Sequence, residues 1–242
     1  MIEEYAFENA ILAALPLEEF ESLLPDLEPV SLPVGAILYN SGDEVEYVYF
    51  PGKAVVSLVT HSKDGLTVEI GIIAQDGMVG IPVLLGDDIA FEEARVRIAG
   101  SATRLKSAVL KSNLTAANSP LLTLLLLYTR SLMKQVMQTA VCNRLHSENE
   151  RLSRWLLMCR DRVESDELPL NHDFVSDVLS LRPENTTKAI SELQGEGLIR
   201  CSSGVISILN RNGLERVACD CYGAIALKPL RTTNGPISAN VN

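Results

Sequence analysis

Residues 168–209, LPLNHDFVSDVLSLRPENTTKAISELQGEGLIRCSSGVISIL, constrain the fold more than any other stretch of the chain. Phe174, Val175, Val178 and Leu179 fall at i, i+1, i+4 and i+5, one face of a short helix that Asn171 is placed to cap. A second helix opens at Pro183, whose fixed φ suits a first helical position, and turns Ile190 and Leu193 inward. Its other face presents Arg182, Glu184, Asn185 and Lys188, and Gly195 and Gly197 stop it. Val205, Ile206 and Ile208 then carry the second strand of a hairpin that turns through Ser202, Ser203 and Gly204. A plain helical hairpin with a solvated charged face would share the two helices but not the hairpin. Helix, tight turn, helix and hairpin in this order predict a winged helix-turn-helix, whose second helix is shaped for the major groove of double-stranded DNA.

At these residues the chain resembles the Crp/Fnr family of bacterial transcription regulators. In that family the recognition helix carries a Glu and, four residues later, an Arg that read bases. Glu184 and Lys188 hold those two places here, aligned without gaps through GEGLIR to the wing. Residues i and i+4 share a helix face; a carboxylate accepts from cytosine N4, and Lys donates to guanine O6 and N7. The chain also departs from the family pattern. Pro183 stands where the cyclic-AMP receptor has another base-reading Arg, and Lys188 replaces a bidentate guanidinium by a point charge. Ser180 stands where Gly is common in the turn between the helices. The resemblance implies base reading by Glu184 and Lys188; on the same face Arg182 and Asn185 are expected to contact bases or nearby phosphates, with Thr186, Thr187, Ser202 and Ser203 as weaker phosphate contacts. It does not carry over a DNA sequence preference.

A net charge of −10 over 242 residues sits awkwardly with DNA binding until the chain is divided. Residues 1–115 hold 18 acidic and 7 basic side chains, a net −11, and residues 116–242 hold 13 and 14, a net +1. A basic patch must then arise locally, from Arg182, Lys188, Arg200 and Arg211. The longest apolar run, within 121–128, is far too short to cross a membrane, and the acidic start MIEEYAFENA has no secretion signal. Five cysteines, at 142, 159, 201, 219 and 221, fall outside any four-ligand zinc spacing and point to free thiols in the cytoplasm. The histidines at 61, 146 and 172 are scattered, so no metal and no cofactor is expected. A redox pair of Cys219 and Cys221 is disfavoured because i and i+2 do not face each other on a helix. The catalytic constellations of a nucleophile elbow, a metal cluster or a Gly-rich phosphate loop are missing, so no enzyme is expected.

The first half reads as β-rich. Short β-branched runs are punctuated by turn residues at SGD, PGK, KDG and QDG after the helical start PLEEFESLLPDL. The spacing suits a jelly roll, and together with the carboxy-terminal unit it resembles the sensory β-roll that binds cyclic nucleotides in the best-known family members. Those members place Gly-Glu at the start of a phosphate-cradling helix and Arg-Ser about ten residues later. Here Gly80 is followed by Ile81, and Glu92 with Glu93 stands where Arg-Ser is expected. Arg95 and Arg97 fall on one strand face, as an altered anion site or as a solvated face. The pattern predicts a roll disabled for cyclic nucleotides, with an unknown effector.

Between the halves, SPLLTLLLLYTRSLMKQVMQTAVCNRL reads as a long helix started by Asn118 or Ser119 with Pro120. Leu121, Leu125, Tyr128, Leu132, Val136 and Ala140 recur at spacings of 3 or 4 and are expected to form the dimer seam; Leu122, Leu126, Met133, Met137 and Val141 form a second stripe. Ser147 and Glu150 form a capping-box pattern that opens the next helix. The expected organisation is α+β: a β-roll over 1–115, a dimerisation helix over 116–146, a winged helix-turn-helix over 147–225, and a polar, disordered tail over 226–242. The reading is a homodimeric, sequence-specific regulator on an inverted-repeat site, with RNA polymerase as a further partner. Its alternative is a ligand-sensing or adaptor protein acting through protein contacts.

Overall fold

The computed structural model describes residues 6–61, 63, 67–115, 119–170, 172–179 and 181–225, with only the backbone of 172 and 173. The expected cap Asn171, the turn residue Ser180, the alternative helix start Asn118 and the tail 226–242 lie outside the described residues. Helices α1 (Ala10–Ala13) and α2 (Leu17–Leu23) precede the strands. Asn9 caps α1 and its amide donates to the carbonyls of Pro51 and Gly77, both at 2.9 Å, which pins the start of the chain to the sheet. Strands β1 (Glu28–Leu32), β2 (Ile37–Tyr39), β3 (Tyr47–Pro51), β4 (Val55–His61) and β5 (Thr67–Ile73) come next. Helix α3 (Ile81–Leu85), β6 (Glu93–Ile98), β7 (Gly100–Lys106) and helix α4 (Ser107–Leu114) complete the expected roll. Two antiparallel sheets, ordered β1-β7-β3 and β2-β6-β4-β5, bury Val48, Phe50, Val56, Leu58, Ala94 and Val96 between them. The outer-facing residues Val55, Ile72 and Ile98 are buried as well, in a second core shared with the carboxy-terminal unit. Apolar residues on both faces of β4 are the signature of a strand covered on both sides.

Helix α5 (Pro120–Leu145) begins at Ser119, whose hydroxyl accepts from Leu122 N at 3.1 Å, and its 26 residues span about 39 Å. Its burial corrects the expected seam. Leu121, Leu125, Tyr128 and Leu132 are buried in the chain's own roll, where the Tyr128 hydroxyl donates to the Met78 carbonyl at 2.9 Å; Val136 is half-buried and Ala140 exposed. The other stripe is open, with Leu126, Met133, Met137 and Val141 at 53%, 59%, 60% and 43% exposure. Periodicity identified both stripes, and the roll takes the one that begins at Leu121.

The chain turns at His146 and starts α6 (Glu148–Val163) with the predicted capping box, Ser147 accepting from Glu150 N and Glu150 accepting from Ser147 N. Strand β8 (Glu167–Leu168), helices α7 (His172–Leu179) and α8 (Pro183–Gly195), and strands β9 (Ile199–Ser202) and β10 (Val205–Ile208) follow. The strands form a sheet ordered β8-β10-β9, and helices α9 (Arg211–Val217) and α10 (Cys221–Ile225) close the described chain. Val175, Val178, Leu179, Ile190 and Leu193 are buried as the pattern required, around Trp155 of α6.

Candidate nucleic-acid interface

The two helices of the turn are held by a polar contact as well as by their apolar faces. Ser176 of α7 donates to Thr186 Oγ1 of α8 at 2.8 Å, and Thr186 is fully buried. Thr186 is therefore a strut between the helices and not a phosphate contact, which corrects its expected role. Arg182 occupies the N-cap position in extended conformation and Pro183 the first helical position. Helix α8 ends with Gly197 at φ +69°, Gly197 N bonded to Gln194 O at 2.9 Å and Leu198 N to Leu193 O at 3.0 Å. This is a Schellman closure, and it sends the chain directly into β9.

With that support, Arg182, Glu184, Asn185, Thr187 and Lys188 are all exposed on one side. Glu184 lies in the first turn, where the helix dipole favours a carboxylate. Lys188 Nζ reaches Glu192 at 3.8 Å, with 76% of its side chain exposed. At the wing tip Ser203 and Gly204 have φ +51° and +77°, and Val205 pairs with Ser202. Positive φ at both central residues fits a type I′ hairpin turn, which leaves Ser202 and Ser203 exposed. Arg200 is exposed. Arg211 is not a free cation: it bridges Asp161 at 3.0 Å and Glu215 at 2.8 Å and bonds the Tyr222 hydroxyl at 3.2 Å. The basic surface is thus carried by Arg182, Lys188 and Arg200.

The roll is closely packed around the start of α3. Gly80, at φ +110°, lets the chain pass Val48 so closely that a Cβ would come within 2.8 Å of Val48 Cγ1. Ile81 and Val83 of the following α3 are buried. Glu92 and Glu93 point to opposite sides, which corrects the expectation that both face a phosphate site. Glu92 accepts from the Tyr39 hydroxyl at 2.9 Å inside the roll, and burial raises its pKa above the ordinary value. Glu93 lies outside, paired with Arg95 at 2.6 Å and His61 at 3.0 Å. Arg97 shares the outer face of β6 but is buried under α7, 4.8 Å from the Phe174 ring and 3.8 Å from Asp177.

Arg97 belongs to a polar network between roll and DNA-binding unit. Its Nε donates to Ser57 Oγ at 3.1 Å, Ser57 donates to Glu69, and Trp155 Nε1 donates to Glu69 Oε1 at 2.7 Å. Burial pushes the Glu69 carboxyl up to about 7, against the opposing pull of Ser57, Arg97, Trp155 and Arg154. Arg162 of α6 clasps Asp76 through two bonds of 3.2 and 3.0 Å.

Residues 150–217 match the Crp-like helix-turn-helix domain family. The chain carries a Crp-like helix-turn-helix domain. The structure is similar over nearly the whole of the compared chains to FixK2 from Bradyrhizobium japonicum, at 18% identity with a TM-score of 0.68, covering 80% of this chain and 98% of that one. It is similar to TTHB099, a CRP-family transcriptional regulator from Thermus thermophilus, at 18% identity and TM-score 0.64, covering 78% and 96%. It is also similar to the c-di-GMP-responsive global regulator CLP of Xanthomonas campestris, at 14% identity and TM-score 0.63, covering 80% and 99%. No curated protein matches the chain in sequence. The Crp/Fnr resemblance read from the wing and the β-roll is thus borne out at the level of domain and fold. Among the described residues, no helix is long and apolar enough to cross a membrane.

One set of residues escaped the sequence. Cys142, His146, Cys219 and Cys221 meet with their ligand atoms within 4.8 Å of one another. Spacing hid it, because 77 residues separate Cys142 from Cys219. The helical argument against Cys219 with Cys221 also fails, because the chain leaves helix at Ala218 and Cys219 stands in the loop before α10.

Proposed function

We propose that the chain is a cytoplasmic transcription regulator that binds an inverted-repeat DNA site as a homodimer and is not controlled by cyclic nucleotides. The observation that carries this reading is the exposed row Arg182, Glu184, Asn185 and Lys188 on a helix locked from behind by Thr186 and Ile190. Such a row can enter the major groove, with Glu184 and Lys188 at base edges and Thr187, Ser202 and Ser203 at phosphates. The second copy is expected on the open α5 stripe of Leu126, Met133, Met137 and Val141, which share one helix face and leave an apolar patch in water. Pairing there would set the two recognition helices about 34 Å apart, one turn of DNA. Independence from cyclic nucleotides is supported by the apolar filling around Ile81 and by Glu92, which repels a phosphate. RNA polymerase is a further partner in this reading.

Selection of bound sequences from a random DNA pool tests it. Recovery of an inverted repeat, with Glu184→Ala relaxing one position per half-site by about 1–3 kcal/mol, is the expected result. Recovery of no consensus, or the same consensus at the same affinity from Glu184→Ala and Lys188→Ala, contradicts it. Sedimentation at twice 26.4 kDa, lost when Met133 and Met137 are both replaced by Glu, checks the dimer face.

A further inference from the structure

The cluster of three thiols and an imidazole sits where the long helix ends. Cys142 and His146 are four residues apart at the end of α5 and so share a face. Cys219 comes from the loop after α9, and Cys221 opens α10. Cys142 Sγ lies 3.5 Å from Cys219 Sγ, and Cys221 Sγ lies 3.5 Å from His146 Nδ1. All three cysteines are buried and the imidazole is partly exposed.

We propose that Cys142, His146, Cys219 and Cys221 bind a zinc ion in a tetrahedral Cys3His site that clamps α10 to the end of α5. Zinc takes thiolate at about 2.3 Å and imidazole at about 2.0 Å, so a regular tetrahedron spaces its sulfurs about 3.8 Å apart and sulfur from nitrogen about 3.5 Å. The two observed separations of 3.5 Å are within a few tenths of that. The widest pair, no more than 4.8 Å, has to close by about 1 Å. Soft thiolates with one imidazole at tetrahedral spacing select zinc over calcium or magnesium, which take oxygen ligands.

The surroundings fit a charged ligand set better than three packed thiols. Asp220 Oδ1 lies 3.6 Å from His146 Nε2, the outer partner that turns Nδ1 toward the sulfurs. Gln138 Nε2 donates to Cys221 Sγ at 3.0 Å. One zinc with three thiolates leaves a net negative charge, and Arg154 is a buried cation that forms no ion pair among the described residues and donates only to Met158 Sδ, at 3.5 Å. The ligands straddle the turn at His146, so metal loading would fix the last helix of the DNA-binding unit onto the helix that leads into it. Binding releases the thiol protons to solvent and needs no electron transfer.

Full-length protein purified without chelator is the material for the test, read by elemental analysis and by cobalt substitution. The expected result is one zinc per chain, and a cobalt form with thiolate-to-metal charge-transfer bands and the strong visible bands of tetrahedral cobalt. Cys221→Ser and His146→Ala should each lose the metal, whereas Cys201→Ser, on the wing, should keep it. Chelation should lower the melting temperature of the wild type and leave that of Cys142→Ser/Cys219→Ser unchanged. Folded wild-type protein that takes up neither zinc nor cobalt overturns the site, whether its thiols are all free or Cys142 and Cys219 are joined in a disulfide. The wild-type cobalt spectrum decides the question even if a variant fails to fold.

Discussion

The interior of the β-roll and the seam between the roll and the DNA-binding unit are both buried, but their chemistry is opposite. Inside the roll, Val48, Phe50, Val79, Ile81 and Val83 are buried together with the ionisable groups Tyr39, Glu92 and Tyr128. At the seam and along α6 lie Glu69 and the buried arginines 97, 151, 154 and 162. Burying an unpaired charge costs several kcal/mol, so specific partners matter here, and Arg154 alone of these has only the Met158 thioether. Glu69 is answered by Ser57 and Trp155, Arg162 by Asp76, and Arg151 by the Leu179 carbonyl at the end of α7. A ligand-sensing roll of nucleotide type needs its cation inside, whereas the buried arginines here lie outside the roll, at the seam and along α6. The difference teaches that packing around α3 rests on apolar contacts, whereas the seam is the polar, geometrically demanding contact at which the two units are held in register.

The comparison can be broken most directly at Trp155. Its ring is 1% exposed, packs on Phe174 at 5.6 Å between centroids, and bonds Glu69. Trp155→Ala should cost about 3–5 kcal/mol in denaturant unfolding, and Trp155→Phe, which keeps most of the packing, about 1–3 kcal/mol. No measurable loss in Trp155→Phe would mean that the hydrogen bond contributes nothing at the seam.

A smaller effect sharpens the charge argument. The Glu69 carboxyl titrates at about 7 in the fold, against 4.5 ordinarily, because it is buried. Between those pH values the native state keeps a proton that the unfolded chain has released. The contribution of this group to stability is therefore highest below about pH 4.5, falls as pH rises to about 7, and is flat above, by an amount on the order of 3 kcal/mol. Glu69→Gln should flatten this slope and raise the melting temperature at pH 8, while Ser57, Arg97, Arg154 and Cys159 around it stay in place. Unchanged pH dependence of melting in Glu69→Gln would place the titrating group elsewhere.

Inside the roll the expected effect is smallest. Glu92→Gln keeps an acceptor for the Tyr39 hydroxyl, so unfolding free energy should shift by no more than about 1 kcal/mol, and cyclic nucleotides should still fail to bind. A variant that gained cyclic-AMP affinity would show that the Glu92 charge alone excludes the ligand, with no contribution from the apolar filling.

Much of the fold was legible because local rules and tertiary demand agreed. The Ser147 capping box, Pro183 at the start of the recognition helix, Gly197 at its end and the Ser203-Gly204 turn are each residue types that suit the backbone at those positions. Sequence was silent on choices made between distant parts. Periodicity presented two apolar stripes on α5, and only the roll's surface decided that Leu125 and Leu132 go inward. Thr186 has a hydroxyl that suits either a phosphate or a buried partner, and Ser176 ten residues earlier decided it. Glu92 and Glu93 are adjacent, and strand alternation sends one to Tyr39 and the other to Arg95. The Cys142 cluster needed contacts across 77 residues, which no spacing rule reads.

DNA affinity measured with and without cyclic nucleotide tests the central claim most directly. Full-length protein and its selected inverted repeat would be titrated over rising salt, alone and with cyclic AMP or cyclic GMP at about 100 μM, a concentration that would load a micromolar site. The account predicts binding by the protein alone, weakening steeply with salt as counterions are released, with the same curve in the presence of either nucleotide. Binding that appears only with a cyclic nucleotide, or that is absent under all these conditions, would contradict it.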